Sequence, residues 1–353
     1  MSPLSFLSPR RLRETVIVML GGLAGIAVDT GEVAQSGSTL RAIETRGVLL
    51  CGVDGGLAGF ADRDESGNWS GFDTDLCRAY AAAILGDGED VRFIPVTTAE
   101  RFSALADGEI DILIRNTSWT FARDVGQGFD FAGIAYYDGQ GFMVPADLGI
   151  ASARDINGAR ICVQGSTTTA LNLEDFIAAN SLTVEVIEYQ TAQAGLDGYI
   201  GDECDVYTND LSSLAGLRVS LDAPSEHVLL PDVISKEPLG PVIRSGDSQF
   251  LDISRWILFS LIAAEEFGVT AANAETFAAS SNNREIRRLL GVEDNFGDRL
   301  GLAPDFAVTM LSATGNYGEI FDRNLGQGSE LGLRRGLNAQ WTEGGLLYSP
   351  PFR

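Results

Sequence analysis

The stretch with the most chemistry per residue is IDILIRNTSWTFAR, from Ile110 to Arg123. It opens on the apolar, mostly β-branched Ile110, Ile112, Leu113 and Ile114, which read as a buried strand. It then turns polar at Arg115, Asn116, Thr117 and Ser118, places an indole at Trp119 and reaches a guanidinium at Arg123. Open α/β sheets collect small ligands at the carboxyl ends of their parallel strands. Amide, hydroxyl and guanidinium groups at such an end suit a small anion, and Arg123 could grip a carboxylate through a two-pronged hydrogen bond. The plainer alternative is a solvated loop in which Arg123 pairs with Asp124 or Asp130. A second stretch offers matching chemistry. Gly165-Ser166-Thr167-Thr168-Thr169 opens a helix, and the free N–H groups of a helix start form an anion site. Ordinary capping by Ser166 or Thr167 is the alternative there. Asp210, at another strand end, could receive an ammonium group or simply cap the following helix. A carboxylate grip facing an ammonium acceptor suits an α-amino acid, though several other ligands would fit.

The elements that must position these groups alternate regularly. GVLLCGV (47–53) reads as a strand closed by Asp54-Gly55-Gly56, and the Gly- and Asp-rich segment 58–68 reads as a loop. Phe72 introduces a helix with Asp73 as its N-cap. VRFIPV (91–96) is the next strand, Thr98 caps a helix running to Leu105, and 110–114 is the third strand. The pattern then repeats: RICVQ (160–164), a helix over ALNLEDFIAAN, LTVEVIEY (182–189), a short helix to Tyr199, and CDVYT (204–208) running into Asn209-Asp210. Each β-α-β-α-β unit demands a parallel sheet with right-handed crossovers, so the fold class is α/β.

The composition narrows the function. A chain of 353 residues with 45% apolar content can hold two domains of ordinary size. Acids outnumber bases 49 to 25, for a net charge of -24, so nucleic acid and anionic lipid are not expected partners. The single histidine, His227, sits in the apolar run HVLL and reads as structural. One histidine and dispersed acids assemble neither a Ser-His-Asp set nor a metal site, and the Gly-rich segment 52–59 lacks a phosphate-binding spacing. No cofactor or metal is expected. At the start, Arg10, Arg11 and Arg13 precede a short apolar run from Thr15 to Val28, the pattern of a secretory signal peptide covering residues 1–27. An uncleaved anchor helix is the alternative. The mature protein is expected to be soluble and exported.

Cys51, Cys77, Cys162 and Cys204 lack C-x-x-C spacing, and in an oxidising compartment an even number favours disulfides. Three pairings are open, and free buried thiols are the alternative. If each sheet runs in the order 2-1-3, Cys162 and Cys204 sit on neighbouring strands, and Cys51 and Cys77 join a strand to its following helix.

Several stretches together carry a family resemblance: GNWSGFDTDLCRAYAAAILGD (67–87), RFSALADGEIDILIRNTSWTFARD (101–124), FDFAGIAYYDGQGFMV (129–144), CVQGSTTTALNLEDF (162–176), EHVLLPDVISKEPLGPVIRSGD (226–247), RWILFSLIAAEEFGV (255–269) and GNYGEIFDRNLG (315–326). The chain resembles the periplasmic solute-binding proteins of the polar amino acid family that serve ABC transporters. Within them it is similar to the general L-amino-acid (glutamate, glutamine, aspartate, asparagine) binding proteins of Gram-negative bacteria. The resemblance implies a periplasmic binding protein-like (type II) fold of two doubly wound lobes joined by two crossover strands. Lobe 1 would comprise about 38–137 plus 240–353, and lobe 2 about 141–237. The hinges would lie near 137–141 and 236–240, with backbone freedom from Gly139 and Gly141.

By position, the resemblance implies that Arg123 holds the ligand α-carboxylate, joined by Thr167 and Thr168, and that Asp210 receives the ammonium. Ser118 would orient the ligand, Asn116 would bring its carbonyl near the amino group, Trp119 would form an apolar wall, and Asp54 would select the side chain. Two departures stand out. Ser166 replaces a usual glycine, and an acid at Asp54, where relatives often carry a neutral amide, would disfavour glutamate and aspartate. The implied protein is a monomeric receptor that hands its ligand to a membrane permease. Periplasmic cyclohexadienyl (arogenate or prephenate) dehydratases resemble the same fold and supply the competing enzyme hypothesis. A sensory ligand-binding module is a third.

Overall fold

Two five-stranded sheets, each flanked by helices, organise the protein. The computed structural model describes residues 38–353, so the expected signal segment lies outside the described residues. After α1 (Ser38–Arg46) the chain forms β1 (Leu49–Val53), a small ribbon of β2 (Asp62–Arg63) with β3 (Trp69–Ser70), and α2 (Phe72–Leu85). It continues through β4 (Val91–Pro95), α3 (Arg101–Ala106), β5 (Ile112–Leu113), α4 (Phe121–Gly126) and β6 (Phe129–Phe131). β7 (Tyr136–Asp138) then leads into the second sheet. There β8 (Gln140–Pro145), β9 (Arg160–Gln164), α5 (Thr168–Asn180), β10 (Glu185–Tyr189), α6 (Ala192–Ile200), β11 (Val206–Asp210), α7 (Leu211–Val219) and β12 (His227–Leu229) follow one another. β13 (Glu237–Leu239) returns the chain to β14 (Val242–Arg244) and the long α8 (Ser248–Glu266).

The first sheet runs β4-β1-β5-β14-β6 and the second β10-β9-β11-β8-β12. In each, the first three strands are parallel, as the alternating pattern requires, and they stand in the order 2-1-3. β14 and β8 run antiparallel to their neighbours. The helices that follow α8, namely α9 (Ala274–Ser280), α10 (Arg284–Leu289), α11 (Phe296–Leu300), α12 (Phe306–Thr314) and α13 (Tyr317–Asn324), pack against α2, α8 and one another in the first lobe. Phe306, Met310, Tyr317 and Ile320 share one core with Leu49, Leu76, Tyr80 and Ile257. The second lobe has its own core around Phe142, Ile161, Val163 and Leu173. Among the described residues, no helix is long and apolar enough to cross a membrane.

Both disulfides are present, Cys51–Cys77 and Cys162–Cys204, with Cα separations of 6.1 Å and 5.7 Å. The first ties β1 to α2. The second ties β9 to the turn before β11, because that strand begins at Val206 and not at Cys204.

Some local expectations give way. Asp73 is not the N-cap of α2; Gly71 is, at a φ of 131° that favours glycine, and a Cβ there would lie 2.2 Å from the Phe60 carbonyl oxygen. The hydroxyl at the entry to α3 belongs to Thr97, which accepts from Glu100 N–H at 3.2 Å, and not to Thr98. β7 and β13 pair antiparallel where the chain passes between the sheets, with Asp138 opposite Glu237. Gly139 and Gly141 lie beside this ribbon at close approach. A Cβ at Gly139 would lie 2.3 Å from Val233 Cγ1, and one at Gly141 2.3 Å from Leu211 Cδ2. A side chain at either position would need its neighbour to shift.

Candidate functional site

The carboxyl ends of both parallel sets open onto one cleft of about 480 Å³. One lobe contributes Asp54 after β1, Pro95 to Thr98 after β4, and Arg115, Asn116 and Ser118 after β5. The other contributes Gln164 and Thr167 to Thr169 after β9, Gln190 to Gln193 after β10, and Asn209 and Asp210 at the end of β11. This is where open α/β sheets place ligands. Gln164 Nε2 donates to Thr98 Oγ1 at 3.1 Å, a direct bond between the lobes.

Arg123 reaches the cleft from the first turn of α4. Thr120 caps that helix by accepting from the Arg123 N–H, and Arg123 Nη1 donates to the Ser118 carbonyl at 2.8 Å. Its guanidinium lies over the Phe102 ring, 5.4 Å from the centroid. Among the described residues no carboxylate pairs with it, so the pairings with Asp124 and Asp130 are not formed. Burial lowers its pKa from the ordinary arginine value. Arg101, which the sequence reading passed over, lines the same cleft from the start of α3. It is 4% exposed, and Nη1 reaches Thr117 Oγ1 only at 3.5 Å. Its Nε is buried with no partner among the described residues. Burial, then repulsion from Arg123 and Arg115, lowers its pKa well below the ordinary value. Its position just beyond the carboxyl end of β4 was the available signal.

Asp54 and Arg115 line the cleft as a pair, 2.6 Å between Oδ2 and Nη2. Arg115 Nε also donates to the Val96 carbonyl at 2.8 Å, which holds the guanidinium against the β4 end. Arg115 offsets the charge of Asp54, so the acid at this position acts on the cleft as half of an ion pair. Asn116, next in the chain to Arg115, also lines the cleft, at a φ of 36° and with both amide atoms buried and unpartnered among the described residues. An unfilled amide facing a cleft is an open place for ligand donors and acceptors. Behind it Asp73 accepts the Asn116 backbone N–H, and burial pushes the Asp73 pKa up to about 8.

Asp210 occupies the N-cap position of α7, yet its side chain makes no capping bond. It is buried and lines the cleft. Burial, then the neighbouring Asp138 and Glu237, push its pKa well up, against the pull of Arg101 and Arg123. Asp138 accepts from Gly139 N–H at 2.8 Å and from the Ser212 hydroxyl, and burial raises it to about 6.

The hydroxyls divide. Thr167 is the N-cap of α5: it accepts from Ala170 N–H at 3.1 Å and donates to the Gln164 carbonyl at 2.7 Å. Ser118 and Thr168 both donate to Glu237, a buried residue of β13 that the sequence reading did not single out. Trp119 does not line the cleft. Its ring stacks on Phe131 at 5.3 Å, inside the first lobe. The structure thus gathers Arg123, Ser118, Asn116, Thr167, Thr168, Asp210 and Asp54 around one cleft and leaves Trp119 outside it. His227 lies on β12, its Nδ1 2.7 Å from the Tyr199 hydroxyl, away from the cleft lining. No group of side chains suited to hold a metal ion occurs among the described residues.

Known proteins share the sequence and the shape. The chain is 50% identical over 333 residues to the glutamate/glutamine/aspartate/asparagine-binding protein BztA of Rhodobacter capsulatus, covering 94% of this chain and 98% of that one. It is 49% identical over 334 residues to the general L-amino acid-binding periplasmic protein AapJ of Rhizobium johnstonii, covering 94% and 97%. A solved ABC transporter periplasmic binding protein from Brucella ovis, with glutathione bound, is 49% identical and superposes with a TM-score of 0.87, covering 89% of this chain and 99% of that one. With a family model matching residues 49–288, the chain belongs to the bacterial extracellular solute-binding proteins, family 3.

Proposed function

We propose that this protein captures an L-amino acid outside the cytoplasm, with acidic and amide side chains preferred, and delivers it to the permease of an ABC transporter. The observation that carries the preference is the charge of the cleft. Three arginines face two aspartates, and one arginine and one aspartate already cancel as the Arg115–Asp54 pair. Arg123, Arg101 and Asp210 are left for a ligand. An unpaired buried charge costs several kcal/mol, so the site favours a molecule that fills all three.

In this reading Arg123 and the first N–H groups of α5 take the α-carboxylate, and Asp210 takes the ammonium. Arg101 takes the side-chain carboxylate or amide oxygen, with Asn116 beside it. Each charge-assisted bond contributes about 1.5–3 kcal/mol net. Because the partners come from both lobes, ligand binds the closed arrangement more tightly than an open one, and that difference drives closure about the paired strands β7 and β13. The relatives named as periplasmic and as binding proteins support the location and a receptor over a dehydratase. A second reading has a specific basis: the cleft is roomy for one amino acid, and the Brucella ovis protein holds glutathione. A γ-glutamyl peptide would present the same glutamyl head group to the same residues.

Calorimetric titration of the mature protein with the L-amino acids, glutathione, prephenate and arogenate tests both. One-to-one uptake of glutamate, glutamine, aspartate or asparagine without consumption is expected. Tighter binding of glutathione would favour the peptide reading. Turnover of a cyclohexadienyl acid would overturn the receptor reading.

A further inference from the structure

Glu237 lies on the return strand β13, 2% exposed, and no cation forms an ion pair with it among the described residues. Arg123 attracts it from a distance but does not touch it, so the carboxylate must be satisfied by hydrogen-bond donors. It has four. Asn172 Nδ2 and Ser235 Oγ donate to Oε1 at 2.7 Å and 2.8 Å. The Ser118 hydroxyl and Thr168 Oγ1, the latter at 3.3 Å, donate to Oε2. The last two come from opposite lobes, meet on one oxygen, and line the ligand cleft.

A carboxylate only accepts, and a hydroxyl has one proton. Ser118 and Thr168 therefore commit their protons to Glu237, and toward the cleft they offer lone pairs alone. We propose that Glu237 is a positioning residue that sets the hydroxyls of Ser118 and Thr168 as acceptors, so that with Asp210 they form the corner that receives a ligand ammonium. This rests on the amino acid reading above and adds to it at Thr168: the N–H groups at the start of α5 serve the carboxylate, and the Thr168 hydroxyl serves the ammonium. Asp138, opposite Glu237 in the ribbon, bonds to Gly139 and Ser212 and so does not bridge Ser118 to α5.

The test compares L-glutamate with glutarate, which keeps both carboxylates and lacks the ammonium, by calorimetry on the full mature chain. Glu237→Gln presents a donor where Oε2 stood, so the hydroxyls turn. The expected result is a loss of ten-fold or more in glutamate affinity and less than three-fold in glutarate affinity. Equal losses for both probes would mark a merely structural role and overturn the inference while leaving the receptor reading intact. An unchanged glutamate affinity would overturn it too. If Glu237→Gln does not fold, Thr168→Val removes one acceptor with the carboxylate retained, and the same selective loss of glutamate is expected. Wild-type protein that takes up neither probe would overturn the acidic amino acid reading itself, and this inference with it.

Discussion

Arg115 Nη2 stands 2.6 Å from Asp54 Oδ2, and both side chains belong to the cleft wall. The acid at the end of β1 thereby masks the charge of Arg115, while Arg101 has no ion-pair partner among the described residues. Asp54→Asn should free Arg115 and raise the preference for a negatively charged side chain. The ratio of glutamate to glutamine affinity is expected to rise about ten-fold, an effect of about 1.4 kcal/mol. Calorimetry on the variant checks it, and an unchanged ratio would mean that Arg115 stays shielded from the ligand.

Arg123 and Arg101 should fail differently. If Arg123 is the α-carboxylate grip proposed above, Arg123→Met should weaken every amino acid by 100-fold or more, about 3 kcal/mol. Arg101→Met should weaken glutamate and aspartate by about ten- to 100-fold and small neutral amino acids far less. Thermal melting near the wild-type value would show that the variants fold. Equal losses across the ligand panel for Arg101→Met would remove it as the side-chain partner.

Binding should release protons. In the ligand-free cleft, burial and the nearby Asp138 and Glu237 hold the Asp210 pKa well up, whereas a bound ammonium favours its charged form. The free protein then carries more proton on Asp210 than the complex does. Affinity is full above the free pKa and falls as pH drops through it. Titrations in buffers of different ionisation enthalpy read the released protons directly. Asp210→Asn should abolish the release together with most of the affinity. Affinity that rises as the pH is lowered would place the ammonium elsewhere.

Asp73 bears on stability. Its pKa is raised to about 8, so between the unfolded value of 3.8 and 8 the native state binds the extra proton. On this group's account, stability falls as pH rises through that window. Asp73→Asn can keep the bond from Asn116 N–H without ever ionising. The melting temperature of the variant minus that of wild type should grow from about pH 5 to about pH 8. A difference that stays flat or shrinks would mean that Asp73 is ionised in the native protein.

The sequence by itself determined the alternating architecture. The apolar runs over β1 and β9 and the turn residues around them are local signals, because parallel strands covered on both faces are apolar almost continuously and caps sit beside the turns they close. Parallel strands follow from the crossovers, whereas the 2-1-3 order that brings Cys162 near Cys204 is seen only in the folded sheets; Cys51 and Cys77 join a strand to its own next helix. Polar groups stranded at strand ends, such as Asn116, Ser118 and Asp210, could be read from the sequence as well. Partner choice could not. Trp119 stands one residue from Ser118, yet packs on Phe131 inside the lobe while Ser118 faces the cleft. Arg115 finds Asp54 across two strands, and Ser118 finds Glu237 at a separation of 119 residues. Such pairings depend on distances through space that the folded sheets alone create. A charge or hydroxyl acts according to what lies within about 3–4 Å of it, and only the tertiary structure decided that.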